Sequence, residues 1–375
     1  MNILIYTHSW FPFISGITIR YKQIIDILKL NNNIILINTH GDEKYDGIRV
    51  IKIKEQKIPS IFLNKNETKK ENKIANILHY PQLFLQINKL CKKYKIDIIH
   101  CCGPDSMQML LKRVSIYNNI PLVVMLHTNL MKYSNKRVSY IIQKIAFSLF
   151  LPDLYILPSN SYYNELIETK LLHPSNSYYI IPPCVDSNLF FKTQPLKKKY
   201  WTNNKIRLLY VGRVEQEKNI ESIFHSMDET MSLCIVGKGG CEYNKHLHNI
   251  SKDKNIDVSF IGHVDSNNLR YWYSSCDVFV MPSKTETLGF VTLEALACEA
   301  PVCAFNEGGA TDIIKHKING YLYNNKNELN TYINLIHSND KIKNEIISNG
   351  IQFIKNKTVE NSVQELFSEY KKLVK

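Results

Sequence analysis

A chain of 375 residues, 44% hydrophobic and 22% charged, has room for about two domains and enough apolar surface to give each a core. That apolar content excludes a wholly disordered chain, and the 14 glycines, 13 prolines and nine scattered cysteines exclude a collagen-like chain and a small disulfide scaffold. Lys and Arg number 47 against 34 Asp and Glu, a formal net charge of +13, and no run of 18 apolar residues predicts a membrane span.

The first residues, Met1-Asn2-Ile3-Leu4-Ile5-Tyr6, carry no basic segment or small-residue cleavage site, so a first strand is expected rather than a secretory leader. Residues 21–30 then show helical spacing of Ile24, Ile25, Ile27 and Leu28. Short apolar runs follow at 34–37, 48–53, 97–100, 122–125 and 154–157, separated by helical patterns. Continuous rather than alternating apolar runs are how strands buried on both faces read, which predicts a parallel sheet covered by helices. A second series of strands is expected at 206–211, 232–236, 258–261, 278–281 and 302–305. The break falls in the Pro- and Lys-rich stretch from Pro182 to Lys199, and the polar segment from Asn64 to Lys73 reads as an exposed loop. The cysteines form no CxxC pair and several lie in apolar runs, so buried reduced thiols are expected; His246 and His248, two apart, do not form a metal pair.

Three strand-to-helix junctions carry the chemistry. In the first, a strand ends at Met281, a loop holds Glu286, and a helix opens near Leu288 or Gly289 with Thr287 as its expected N-cap. The backbone N–H groups of Leu288, Gly289, Phe290 and Val291 would then form an anion site suited to a diphosphate. Glu294 lies two turns in, and a partly buried carboxylate there needs partners, which ribose hydroxyls could supply or a neighbouring backbone group or Lys. In the second, Gly212 ends a strand and Arg213 and Lys218 follow ahead of a helix, a pair of cations able to clamp a pyrophosphate or to remain solvated in a loop. In the third, Gly237 opens the Gly-rich turn Gly237-Lys238-Gly239-Gly240, an incomplete phosphate fingerprint that a tight turn also explains. Near the start, Ser15-Gly16 precedes a helix carrying Arg20, and His127-Thr128 follows the strand at 122–125. Gly16 could bring amides to a phosphate, and His127 could donate to a sugar hydroxyl or a phosphate oxygen.

Taken together, Glu286-x7-Glu294, Gly212-Arg213 with Glu217-Lys218, and Gly308-Gly309-x-x-Asp312-Ile313-Ile314 make the chain resemble the retaining glycosyltransferases of the GT-B fold, family 4, from Met1 to about Tyr323. Phe13-Ile14-Ser15-Gly16, Asp97-Ile98-Ile99-His100, His127-Thr128 and Cys184-Val185-Asp186-Ser187 extend the resemblance toward the sulfoquinovosyl and related glycolipid transferases. The sequence departs from the family at Ser15, where Gly-Gly is usual, and at Glu299-Ala300-Pro301, where Gly-x-Pro is usual.

The resemblance implies an α/β protein of two Rossmann-like doubly wound domains facing a cleft: an acceptor-binding domain at 1–185, a nucleotide-sugar domain at 186–355, and a C-terminal helix at 356–375 packing back on the first. It implies that Arg213 and Lys218 hold the diphosphate, Glu294 the ribose, and Glu286 with the amides after it the donor sugar and phosphates. The turn Gly262-His263-Val264 would grip the nucleobase, His127 would sit near the donor sugar, and Asp186 with Arg20 would lie on the acceptor side. The implied reaction moves a hexose from a nucleotide-diphosphate sugar, UDP-linked ahead of GDP-mannose, to a hydroxyl that could belong to a lipid such as diacylglycerol or a phospholipid. The chain has no Asp-x-Asp, so neither a metal nor another cofactor is expected. A sugar-nucleotide epimerase or a non-catalytic nucleotide-sugar-binding subunit would share the fold. The positive charge fits contact with an anionic membrane surface as well as ordinary solvated lysines; the reduced thiols expected of the scattered cysteines place the protein in the cytoplasm, at the membrane periphery if the first reading of the charge holds. No nucleic-acid motif is present, so nucleic acid is not an expected partner.

Overall fold

The computed structural model describes the chain except residues 13–14, 43, 54–72, 104–105, 128–143, 145–146, 197–199, 285, 288 and 375. The loop expected from Asn64 to Lys73 therefore lies outside the described residues apart from Lys73, which opens a helix, as do Thr128 and Leu288. The chain forms two compact units, Met1–Pro182 with Ser362–Lys375, and Pro183–Asn361. The sequence reading put these boundaries at 185/186 and 355/356.

Among the described residues the first unit holds seven strands: β1 (Asn2–Ser9), β2 (Asn33–His40), β3 (Arg49–Lys52), β4 (Ile98–Gly103), β5 (Leu122–Leu126), β6 (Leu154–Leu157) and β7 (Tyr178–Ile180). They pair in parallel in the order β3-β2-β1-β4-β5-β6-β7. Helices α1 (Gly16–Leu28), α2 (Lys73–Tyr94), α3 (Ser106–Asn118) and α4 (Asn160–Glu168) connect them. The described residues of the second unit hold six: β8 (Ile206–Val211), β9 (Met231–Val236), β10 (Asp257–Gly262), β11 (Val278–Met281), β12 (Val302–Phe305) and β13 (Tyr321–Tyr323), again parallel, in the order β10-β9-β8-β11-β12-β13. Its longer helices are α5 (Cys241–Asp253), α6 (Ser266–Ser275), α7 (Phe290–Ala297), α8 (Lys326–Ser338) and α9 (Asp340–Ile354). Helix α10 (Val359–Leu373) joins the first unit from Ser362 onward. The sequence reading missed β7 and β13, edge strands of three residues each, too short to leave an apolar run.

Both sheets reverse strand order in the middle, β1 against β4 and β8 against β11, and ligands of open α/β sheets bind at such points beyond the carboxyl ends of the strands. Alternation along each strand feeds two cores. Leu209, Val211, Cys234, Val236, Phe279 and Met281 pack on one face of the second sheet. Leu208, Tyr210, Leu233, Ile235, Val278 and Val280 pack on the other. Eight of the nine cysteines are buried free thiols and Cys241 is exposed.

Helix α7 ends where the sequence departs from Gly-x-Pro. Ala300 N–H bonds to Ala295 O at 2.9 Å and Glu299 N–H to Leu296 O at 3.1 Å, with Glu299 at φ +59°. That is a Schellman ending with a glutamate in the left-handed position that glycine occupies without penalty. Glu299→Gly therefore raises stability by up to about 1 kcal/mol, the left-handed cost less the added freedom of the unfolded chain. Thermal denaturation reads this as a melting temperature higher by about 1–3 °C, with Glu299→Ala showing no gain.

Candidate active site at the carboxyl edge of the second sheet

Three glycines finish three adjacent strands of the second unit. Gly212 N–H bonds to Val236 O at 3.0 Å and Gly237 N–H to Gly262 O at 2.8 Å. Gly212 and Gly237 stand at φ +152° and +151°, and a Cβ on Gly237 would lie 1.8 Å from Gly212 O. The Gly212 and Gly237 amides are therefore bound to neighbouring carbonyls, and the Gly-rich turn at Gly237 is a close-packed strand ending. Gly262 is different: at φ +80°, it has open space where a side chain would be. Beside it, His263 is exposed with its ring 3.5 Å from Asp265, and Val264 is partly buried against the core.

The loops after β8 and β11 flank the switch point and are tied to each other. Asn219, left-handed at φ +55°, donates its side-chain amide to Pro282 O at 3.1 Å. Lys218 Nζ lies 2.8 Å from Glu286 Oε2, with only 12% of the lysine and 19% of the glutamate side chain exposed. Glu286 Oε1 accepts from Gly289 N–H at 3.3 Å, and Glu286 O accepts from Gly309 N–H at 2.6 Å. Arg213, by contrast, is largely in solvent and pairs with Glu217 at 2.7 Å, a contact of small energetic weight.

The N-cap of α7 is Gly289 at φ +62°, not Thr287. The chain enters the helix through a left-handed residue, and a Cβ on Gly289 would meet Ile313 Cδ1 at 2.6 Å, which leaves no room for a capping side chain. Of the expected anion-binding amides, Gly289 is engaged by Glu286. Phe290 and Val291 lie in the first turn ahead of Thr292, which bonds back to Gly289 O at 3.0 Å. Leu288 lies outside the described residues.

Further along α7, Glu294 is partly exposed, and its Oε2 accepts from the Tyr273 hydroxyl at 2.8 Å. Burial pushes its carboxyl up to about 7, and the tyrosine bond acts in the opposite direction. Tyr273 is fully buried on α6, between Phe279 and Phe190 at ring distances of 5.4 and 6.2 Å. Sequence reasoning missed it: Tyr271-Trp272-Tyr273 reads as a helix face, and nothing in the spacing joins it to a glutamate 21 residues on. Asp186 opens the second unit in a turn, its Oδ1 accepting from Asn188 N–H at 3.0 Å and its carbonyl from Leu189 and Phe190. Among the described residues no three of His, Cys, Asp and Glu gather as a metal site.

In the first unit, Ser15 caps α1 with a reciprocal bond to Thr18, and Gly16 is the first helical residue. Arg20 is buried and donates to Ser362 Oγ at 2.6 Å. His127, just past β5, is buried, and its Nε2 has no hydrogen-bond partner among the described residues. Burial, with help from Arg20 and His100, holds its pKa down to about 3, so the ring is neutral at pH 7. His100 in β4, a second residue whose role the sequence did not reveal, is bonded on one side by Tyr21 at 2.9 Å and on the other by Tyr370 of α10. Burial lowers it to about 3 as well.

The family model for glycosyl transferases group 1 matches residues 192–353, and that for glycosyltransferase family 4 matches residues 67–189. The chain is 28% identical over 339 residues to the sulfoquinovosyl transferase SQD2 of Arabidopsis thaliana, covering 84% of this chain and 62% of that one. It is 23% identical to the alpha-monoglucosyldiacylglycerol synthase of Acholeplasma laidlawii, covering 93% of this chain and 91% of that one. The crystal structure of Anabaena HepE in complex with UDP superposes with a TM-score of 0.78 at 17% identity, over 99% of this chain and all of that one. Two family models that meet almost without a gap, laid over two parallel sheets of Rossmann order, make this chain a member of the family 4, group 1 glycosyltransferases with the GT-B fold.

Proposed function

We propose that the protein transfers a hexose from a nucleotide-diphosphate sugar, UDP-linked in the first instance, to a hydroxyl acceptor with retained anomeric configuration and without a metal ion. The observation that carries this is the pairing at the switch point of the second sheet: Lys218 and the first amides of α7 beside Glu286, with Glu294 on the same helix. Lys218, Arg213 and the Phe290 and Val291 amides supply positive potential for the two phosphates, and Glu294 supplies a carboxylate for ribose hydroxyls. As the sugar–phosphate bond lengthens, charge grows on the leaving diphosphate, where fixed cations and amides act most strongly. A diphosphate arriving there shares Lys218 with Glu286, which leaves the glutamate able to turn to a sugar hydroxyl. His127, neutral, serves as a hydrogen-bond partner to a hydroxyl or phosphate oxygen rather than as a cation. No carboxylate is assigned as a nucleophile; the incoming hydroxyl attacks on the face of the departing phosphate, which takes its proton.

A lipid hydroxyl is the proposed acceptor, with the protein on the cytoplasmic surface of a membrane. One relative is named for a diacylglycerol product. The first unit also exposes Leu85, Ile116 and Tyr117 on α2 and α3, with Lys92 Nζ 5.5 Å from the Tyr117 ring. No helix among the described residues is long and apolar enough to cross a bilayer.

Three measurements test this reading. In a thermal-shift panel of UDP, GDP, ADP and their sugars, UDP and a UDP-sugar stabilise the wild type by about 2.7 kcal/mol at one hundred times Kd. EDTA leaves that shift intact, and Glu294→Gln reduces it. A shift seen only with added divalent cation overturns the metal-free reading, and no shift with any nucleotide overturns donor binding. Lys218→Ala lowers kcat by about 100- to 1,000-fold, on the scale of one lost charge-stabilising donor, and Lys218→Arg recovers part of it. In liposome flotation, binding rises with the fraction of anionic lipid and falls in Ile116→Glu; equal recovery on neutral and anionic vesicles removes the membrane arm.

A further inference from the structure

We propose that Tyr273 is the positioning residue of the nucleotide site: its hydroxyl holds Oε2 of Glu294, so that Oε1 is the oxygen presented to the ribose of the donor. The proposal rests on the reading of Glu294 as a ribose-binding carboxylate and deepens it.

The geometry gives the tyrosine one job. Its ring has no solvent exposure and is locked edge-on between Phe279 of β11 and Phe190. A phenol buried among rings must spend its hydroxyl on an acceptor, and the acceptor is Glu294 Oε2 at 2.8 Å. Two helices are thereby registered by one bond, α6 through Tyr273 and α7 through Glu294. The Glu294 side chain makes no other hydrogen bond among the described residues and the residue remains partly exposed, so its second oxygen is the one a ligand reaches. A flexible glutamate held at one oxygen loses little further freedom when a diol binds the other.

The bond also sets the charge. Burial drives the Glu294 carboxyl up to about 7, and the Tyr273 donor opposes it. The other titratable groups around the pair are the Cys276 and Cys298 thiols, themselves raised by burial to about 12, with Lys192 and Arg270 the cations that act on Cys298. On the opposite side of α7, α9 packs through Gly350 against Leu296, and its Lys343 acts on Asp277. Without the hydroxyl, the carboxyl keeps its proton to higher pH and offers a diol one acceptor fewer.

The test compares wild type, Tyr273→Phe, Glu294→Gln and the double variant. The Glu294 carboxyl is followed by 13C NMR against pH in the ligand-free protein, and UDP affinity is measured by calorimetry between pH 6 and 9. In Tyr273→Phe the carboxyl midpoint moves upward. The UDP Kd rises about tenfold at pH 7, where more of the carboxyl is then protonated, and the loss narrows toward pH 9. Adding Tyr273→Phe to Glu294→Gln costs no further affinity. An unmoved carboxyl midpoint overturns the proposal, as does a loss of UDP affinity that is equal at every pH or that persists in the double variant, since either marks a merely structural ring. If the wild type binds no nucleotide diphosphate, the donor reading falls and takes the ribose role with it. A flat UDP profile in a wild type that does bind leaves the donor reading standing and overturns the positioning role alone.

Discussion

A carboxylate four-fifths removed from water has to be ringed by donors, and Glu286 gathers its donors from three different strand ends. Lys218 comes from the turn after β8, the Gly289 amide from the head of α7 after β11, and the Gly309 amide, on its main-chain oxygen, from the turn after β12. The order of the loops at this edge follows from that one residue. Gly308 and Gly309 lie so close to the Glu286 and Thr287 carbonyls that a Cβ on either would stand 2.6 Å from oxygen. The edge is thus a tight backbone weave around a charge, and its ligand-binding potential comes from the same cations and amides that keep the charge satisfied.

The organisation of the fold was legible because buried parallel strands announce themselves as unbroken apolar runs. β8, β11 and β12 were read to the residue. The departure at Glu299 was legible as well, since a position that usually takes glycine was occupied by something else and proved left-handed. What could not be read was which side chain answers which. Thr287 has the chemistry of a helix cap, yet the cap is Gly289, because the backbone enters the helix through a conformation that only glycine adopts freely. The Gly-rich turn at Gly237 reads in sequence as a phosphate fingerprint or a tight turn, and its first amide is consumed by a sheet-like bond in space. Tyr273 and Tyr370 were invisible because their meaning lies in partners 21 and 270 residues away.

Burial disfavours the charged form in both units, lowering bases in one and raising an acid in the other. In the first, His100 and His127 are neutral at physiological pH, so the two rings offer hydrogen-bonding nitrogens rather than charge beside the buried Arg20. In the second, burial raises Glu294 into the neutral range while an ion pair holds Glu286 in place.

Tyr370 closes on His100 from a segment that returns to the first unit only at Ser362, whereas the second unit is one uninterrupted stretch from Pro183 to Asn361. On a ribosome, the unit whose strands emerge first is therefore the last to be completed. Until the chain beyond residue 362 is released, the first sheet waits with a buried histidine half-clothed, and the contiguous second unit has every residue it needs to fold before its predecessor does. Vectorial synthesis and the order of structural completion run in opposite directions in this protein.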